Sequence, residues 1–128
     1  MKITLTSVIV DDQSKALDFY TEKLGFVVKH DIPLGEARWL TVISPEGHAD
    51  VELLLEPNKI TASQVFQKAL FDQHIPLTAF TVADVAKEYA RLRALAVEFC
   101  MDPTDVGAAH VAVFNDTCGN WIQIFAPK

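Results

Sequence analysis

The sequence predicts an α+β fold made of two βαβββ modules whose curved mixed sheets surround a pocket. Three observations predict it. The stretch LTSVIVDD at residues 5–12 returns 72 residues later, altered, as LTAFTVAD at 77–84, and a long internal period marks two copies of one supersecondary unit. Each copy ends in an Asp suited to cap a helix, and an apolar stripe at helical spacing follows. Behind each helical segment lie three short runs rich in apolar and β-branched residues, divided by turn-forming residues.

The elements follow in order. Residues 2–10 read as a strand, with Asp12 as helix cap. Over 13–24, Ala16, Leu17, Tyr20 and Leu24 share a stripe, and Gly25 stands where a helix would end in the left-handed conformation. Strands are predicted at 26–32, 38–44 and 51–56, separated by turns at 33–36 and 45–47. Module 1 therefore spans about residues 1–57. A connector at about 58–75 carries a helix capped by Thr61 or Ser63, with Val65, Phe66, Ala69 and Leu70 as its expected buried side. Module 2, about 76–128, repeats the order: strand 77–83, helix 85–96 with Val85, Tyr89, Leu92 and Ala96 on one face, strand 97–101, a turn at 103–107, strand 109–115, a turn at 118–120 and strand 121–126. Across the repeat Gly25 answers Ala96, Arg38 answers His110, Gly47 answers Gly119, and Glu52 answers Gln123. A sheet with helices on one face leaves the other free, and a concave, partly apolar surface of that kind suits a small ligand.

The 128 residues fit one domain organised as these two modules, and 50% hydrophobic with 22% charged residues is enough to build a core. A net charge of −6 argues against nucleic acid or an anionic membrane surface as the main partner. No apolar run reaches the roughly 18 residues of a membrane span, and the first residues make a poor secretory signal. The two cysteines, Cys100 and Cys118, show neither metal-ligand spacing nor a disulfide framework. Inert thiols in a reduced, cytoplasmic setting are expected.

A family resemblance rests on four stretches: VDDQSKALDFYTEKLGF at 10–26, RWLTVISPEG at 38–47, VELLLEP at 51–57 and FNDTCGNWIQI at 114–124. With these the whole chain resembles the vicinal oxygen chelate superfamily, which includes glyoxalase I, bleomycin-resistance proteins, fosfomycin-resistance enzymes and extradiol dioxygenases. The resemblance implies the glyoxalase/bleomycin-resistance fold and a homodimer. In metal-using members it implies four ligand positions, two on the first strands and two on the last strands of the modules. Here they fall on Leu5, Leu77, Glu52 and Gln123. Leu offers no lone pair, and divalent transition-metal sites generally take three or more imidazole, thiolate or carboxylate donors from the protein. The expectation is therefore no cofactor and a metal-independent small-molecule binder of the bleomycin-resistance type. The alternative is a glyoxalase-like lyase or isomerase, or a dioxygenase, whose divalent metal has shifted ligands.

Seven residues stand out as ligand contacts. Glu52 shares a strand face with Leu54 and Glu56 and is read as a pocket carboxylate, against an exposed strand residue. Gln123 shares its face with Trp121 and Phe125, giving either a ligand wall or a core stack with one satisfied amide. Trp39 is a further candidate wall. Arg38 and His110, at matching positions, could clamp an anion through a planar fork and a ring donor, or could be a solvated Arg and a satisfied His. His30, His48 and His74 are read as surface residues near element ends. A metal site made from His48, Glu52 and His110 has no support from spacing, and no base is placed beside Cys118 to make it a nucleophile.

Overall fold

The computed structural model describes all 128 residues and shows the two βαβββ modules. The chain divides into two compact units, residues 1–64 and 65–128. In the first, β1 (Leu5–Val10), β2 (Val27–Leu34), β3 (Ala37–Ile43) and β4 (Glu52–Pro57) form a sheet of order β1-β4-β3-β2. In the second, β5 (Thr78–Thr81), β6 (Phe99–Asp105), β7 (Ala109–Asn115) and β8 (Trp121–Pro127) repeat it as β5-β8-β7-β6. Both sheets are mixed, because β1 runs parallel to β4 and β5 parallel to β8 while the other pairs are antiparallel.

The repeated Asp residues cap helices as expected. Asp12 accepts from the Lys15 amide at 2.9 Å at the start of α1 (Gln13–Asp18), and Asp84 accepts from the Lys87 amide at 3.0 Å at the start of α3 (Val85–Ala94). α1 runs on as a π-helical turn, Phe19–Lys23, which buries Phe19 and Tyr20. The chain then leaves through Gly25 at φ +81°, and its counterpart Ala96 makes the same exit at φ +63°. An alanine there is strained, because its Cβ crowds the following carbonyl.

Two elements depart from expectation by running through a proline. β2 extends to Leu34 across Pro33, and β6 extends to Asp105 across Pro103. Both are edge strands, where a missing N–H costs no ladder bond if it faces outward. The connector helix α2 (Thr61–Asp72) differs in which side it buries. Val65 and Phe66 are 63% and 49% exposed, and Ala69 is exposed too. Of the expected side only Leu70 is partly buried, and the residues that meet the second sheet are Gln67 and Phe71. Gln67 donates to the Cys118 carbonyl at 3.1 Å, and the Phe71 ring stacks on Trp121 at 4.9 Å between centroids. One satisfied amide and one ring stack orient this helix more strongly than its most apolar face does.

The turn at 116–120 explains the D-x-x-G-N pattern. Asp116 is fully buried and accepts from the amides of Cys118 (2.7 Å) and Asn120 (3.0 Å) and from the Asn120 side chain (2.8 Å). Gly119 has φ +100°, and a Cβ there would stand 2.7 Å from the Gln67 amide nitrogen. Gly119→Ala is expected to destabilise the protein by about 1–3 kcal/mol, as backbone strain adds to displacement of a tied amide, whereas Ala96→Gly should stabilise it by about 1 kcal/mol. Denaturant unfolding of the two variants beside the parent measures both.

Candidate functional site

In the first unit the strand period of two sorts side chains onto two faces. Val8, Val10, Leu40, Val42, Leu53 and Leu55 are buried and share the α1 face. Ile9, Trp39, Thr41, Glu52, Leu54 and Glu56 share the other, as the pairs Thr41–Leu54 and Ile9–Glu56 require. β3 and β4 are paired only at Thr41–Leu54 and Val42–Leu53. Beyond those pairs the Gln13 amide stands in for the ladder. Its Nε2 donates to the carbonyls of Arg38 and Leu55, both at 2.8 Å, and its Oε1 accepts from the Arg38 amide at 3.1 Å.

Against this second face lies a cavity of about 510 Å³, lined by Ile9, Leu34, Ala37, Arg38, Trp39, Leu54, Glu56, Pro57, Lys59, Ile60 and Ser63. Its volume is that of a site for a drug-sized molecule, and its lining is mostly apolar with a few charged groups, as such sites are. Trp39 is half-buried and supplies the large flat surface.

One step along the strands the same face turns polar. Glu52 accepts from the Thr41 hydroxyl at 2.8 Å and from His30 Nδ1 at 2.9 Å, and Lys29 Nζ stands 3.8 Å from its other oxygen. Thr41 is fully buried, and the Glu52 side chain is 19% exposed. The Thr41 hydroxyl first, then the His30 ring N–H, hold the Glu52 carboxyl below its ordinary range. His30 thus joins the Glu52 cluster while keeping 41% of its side chain exposed, and it pairs with Thr41 across β2 and β3. Alternation within β2 alone could not show this, because a register shift lies between Val28 and His30.

Arg38 and His110 each stand beside an acidic side chain. Arg38 lines the cavity along its length, yet its guanidinium is held bidentately by Asp31 at 2.9 and 2.8 Å and donates to Ser14 at 2.9 Å. That fork depresses the Asp31 carboxyl. His110 Nε2 stands 3.9 Å from Asp105, its cross-strand neighbour. The Arg38 fork is thus taken up by Asp31, while Asp105 beside His110 is held by Lys128.

In the second unit Trp121, Gln123 and Phe125 share a face of β8 with Val111 and Val113 of β7. Trp121 is a packed residue and no open wall: it is 5% exposed, stacks on Phe71, has His74 at 5.4 Å and donates Nε1–H to the Phe71 carbonyl at 3.0 Å. Gln123 and Phe125 stay half-exposed. The register also revises the internal match of Glu52. Thr41 answers Val113 in the repeat, Thr41 pairs with Leu54, and Val113 pairs with Gln123. Leu5 pairs with Glu52, while Thr78 pairs with Ile122, which brings Leu77 into line with Trp121. Gln123 therefore answers Leu54, and the counterpart of Glu52 is Trp121, one pleat away from the position that counting along the sequence gives.

The donors at the positions where the resemblance puts metal ligands are few. The paired positions carry Leu5 with Glu52 and Leu77 with Trp121, the carboxylate is engaged by His30 and Thr41, and no three His, Cys, Asp or Glu side chains are grouped to hold an ion. Cys118 is buried, and the exposed Cys100 has its thiol pushed up by partial desolvation, so neither is an activated nucleophile.

Residues 2–124 match the family model of the Glyoxalase/Bleomycin resistance protein/Dioxygenase superfamily. The chain is 52% identical to the uncharacterized protein YurT of Bacillus subtilis (strain 168) over 97% of this chain and 98% of that one. Among solved structures, UcmS2 superposes with a TM-score of 0.83 at 32% identity, covering 98% of this chain and 97% of that one. TnmS3, an antibiotic binding protein from Streptomyces sp. CB03234, does so with a TM-score of 0.76 at 30% identity, covering 100% and 97%.

The Glu52 cluster sets an acid-side stability dependence. Because the folded carboxyl lies below its unfolded value, its contribution is complete above the ordinary Glu range of about 4.3 and is lost as pH falls through the lowered value. Glu52→Gln should flatten the decline of melting temperature below about pH 4.3. Thermal melts of variant and parent from neutral to acidic pH check it, and parallel curves would contradict the cluster's role.

Proposed function

The chain belongs to the Glyoxalase/Bleomycin resistance protein/Dioxygenase superfamily, and we propose that within it this protein is a metal-independent binder that sequesters a small, flat, largely apolar molecule of the antibiotic class. The observation that carries the reading is the cavity of about 510 Å³ floored by Trp39 and Leu54. Such a surface gains from apolar burial and aromatic stacking without any cation. The likeness to TnmS3, an antibiotic binding protein, supports the same reading. Leu5 beside Glu52 supports the absence of a metal step. On the second unit's own sheet, the half-exposed Gln123 and Phe125 are proposed as a further ligand-binding face, with the Gln123 amide as its polar anchor.

The proposal includes a homodimer in the cytoplasm. Its support is the apolar face of α2, where Val65 and Phe66 are left uncovered in the single chain, and the two cysteines, which are not joined in a disulfide. No helix is long and apolar enough to cross a membrane. Sedimentation at high concentration that finds only the 14.2 kDa species would refute the dimer.

Binding is tested by calorimetry with a panel of planar polycyclic antibiotics, using protein freed of metal by a chelator. At least one compound should bind, with affinity unchanged by the chelator, and Trp39→Ala should weaken it by about tenfold or more through lost stacking and area. If nothing in the panel binds, or if binding appears only when a divalent metal is restored, the reading fails.

A further inference from the structure

The polar end of the first unit's sheet contains a fixed proton arrangement. Glu52 Oε1 takes two hydrogen bonds, from Thr41 Oγ1 at 2.8 Å and from His30 Nδ1 at 2.9 Å. An ionised carboxylate can only accept, so both partners must present a proton to it. In the neutral ring that places the proton on Nδ1 and leaves Nε2 a bare acceptor. Thr41 Oγ1 lies 3.3 Å from the same Nδ1, and its own proton already goes to Glu52. The ring is thus held from β3 and β4, while Nε2 has no protein partner. His30 keeps 41% of its side chain exposed.

The position of this acceptor matters. The pairs His30–Thr41 and Ile32–Trp39 are successive rows on one face of β2 and β3. His30 stands one row beyond Trp39, outside the cavity's own lining, so a flat molecule on Trp39 that projects past that lining runs toward His30. Resting on the binding role proposed above, we infer that His30 Nε2 is the acceptor that selects a ligand bearing a hydroxyl donor, a phenol or enol at the edge of an aromatic system. Glu52 and Thr41 are positioning residues that fix its tautomer. The carboxylate is then no direct ligand anchor, because the oxygen nearest the ring is already filled and the other faces the Lys29 ammonium at 3.8 Å.

Three probes of one shape test this: 2-naphthol offers a donor, 2-methoxynaphthalene an acceptor and 2-methylnaphthalene neither. The wild-type protein should hold 2-naphthol about tenfold more tightly than the other two, the discrimination of one good hydrogen bond. In His30→Leu that ratio should collapse to about one. In Glu52→Gln it should shrink to a few-fold, because a carboxamide accepts from Nδ1–H or donates to bare Nδ1 and no longer fixes the tautomer. Calorimetry reads the ratios, and circular dichroism confirms that each variant is folded. If His30→Leu does not fold, the wild-type ratio and Glu52→Gln still decide. Equal affinity of the wild type for all three probes overturns the inference while leaving the binding role standing. A naphthol preference that survives in His30→Leu overturns it as well, because some other group is then the acceptor. If none of the probes binds and the antibiotic panel is also silent, the binding role itself has failed and this inference with it.

Discussion

The first unit depends on one side-chain amide that takes the place of a strand ladder. Where β3 and β4 stop pairing, two carbonyls and an N–H would be left without partners in a partly buried setting, each at a cost of up to about 1–3 kcal/mol. Gln13, at the first position of α1, meets all three. It can do so because Asp12 caps the helix and fixes where the next residue points. Seventy-two residues on, the same position is Val85, buried and unable to bridge anything. There β7 and β8 pair without a break from Ala109–Pro127 to Asn115–Trp121. One polar residue at the start of a helix thus separates a sheet that is zipped from one that is open beside Trp39, with the cavity on the open one.

Alternation along the strands does the rest of the sorting. β3 sends Leu40 and Val42 to the α1 face and Trp39 and Thr41 to the cavity face, while β4 sends Leu53 and Leu55 one way and Glu52, Leu54 and Glu56 the other. A one-residue slip would exchange these sets. The three contacts from Gln13, together with the Arg38–Asp31 fork beside it, resist that slip at the end of the sheet where the ladder is missing. Arg38 therefore serves the ligand site through register, by keeping Trp39 turned toward the cavity.

Much of this was legible in the sequence. The 72-residue period, the capping Asp residues and the turn residues were local signals, and local signals survive folding. The face shared by Glu52, Leu54 and Glu56 followed from alternation alone. What was not legible depended on pairing between distant strands. His30 reads as a surface residue near the end of a strand because its contacts with Thr41 and Glu52 come from other strands, and a bulge interrupts β2 before it. Trp121 reads as either a ligand wall or a core stack because nothing in its own strand reveals Phe71, fifty residues earlier, which decides for the stack. The match of Glu52 with Gln123 missed by one pleat because the segments between the strands differ in length, and counting residues cannot see register. The buried side of α2 was misjudged because apolar content favours Val65 and Phe66, whereas a specific amide and a ring stack chose Gln67 and Phe71.

The exchange of ligands at the strand starts has a consequence for electrostatics. A carboxylate on this face of β4, beside a histidine on β1, would answer a cation. With Leu5 there, the carboxylate has no histidine on its own neighbouring strand, and left alone in a half-buried place it would be driven toward protonation. The opposite holds, because two donors from the far side of the sheet, Thr41 on β3 and His30 on β2, keep it ionised. The chain thus retains a histidine and a glutamate on one face but joins them directly by a hydrogen bond, where a metal site would have both turn to a common ion. A directly bonded pair leaves one ring nitrogen outside the bond, which is a group for reading a ligand's proton rather than for polarising its oxygen.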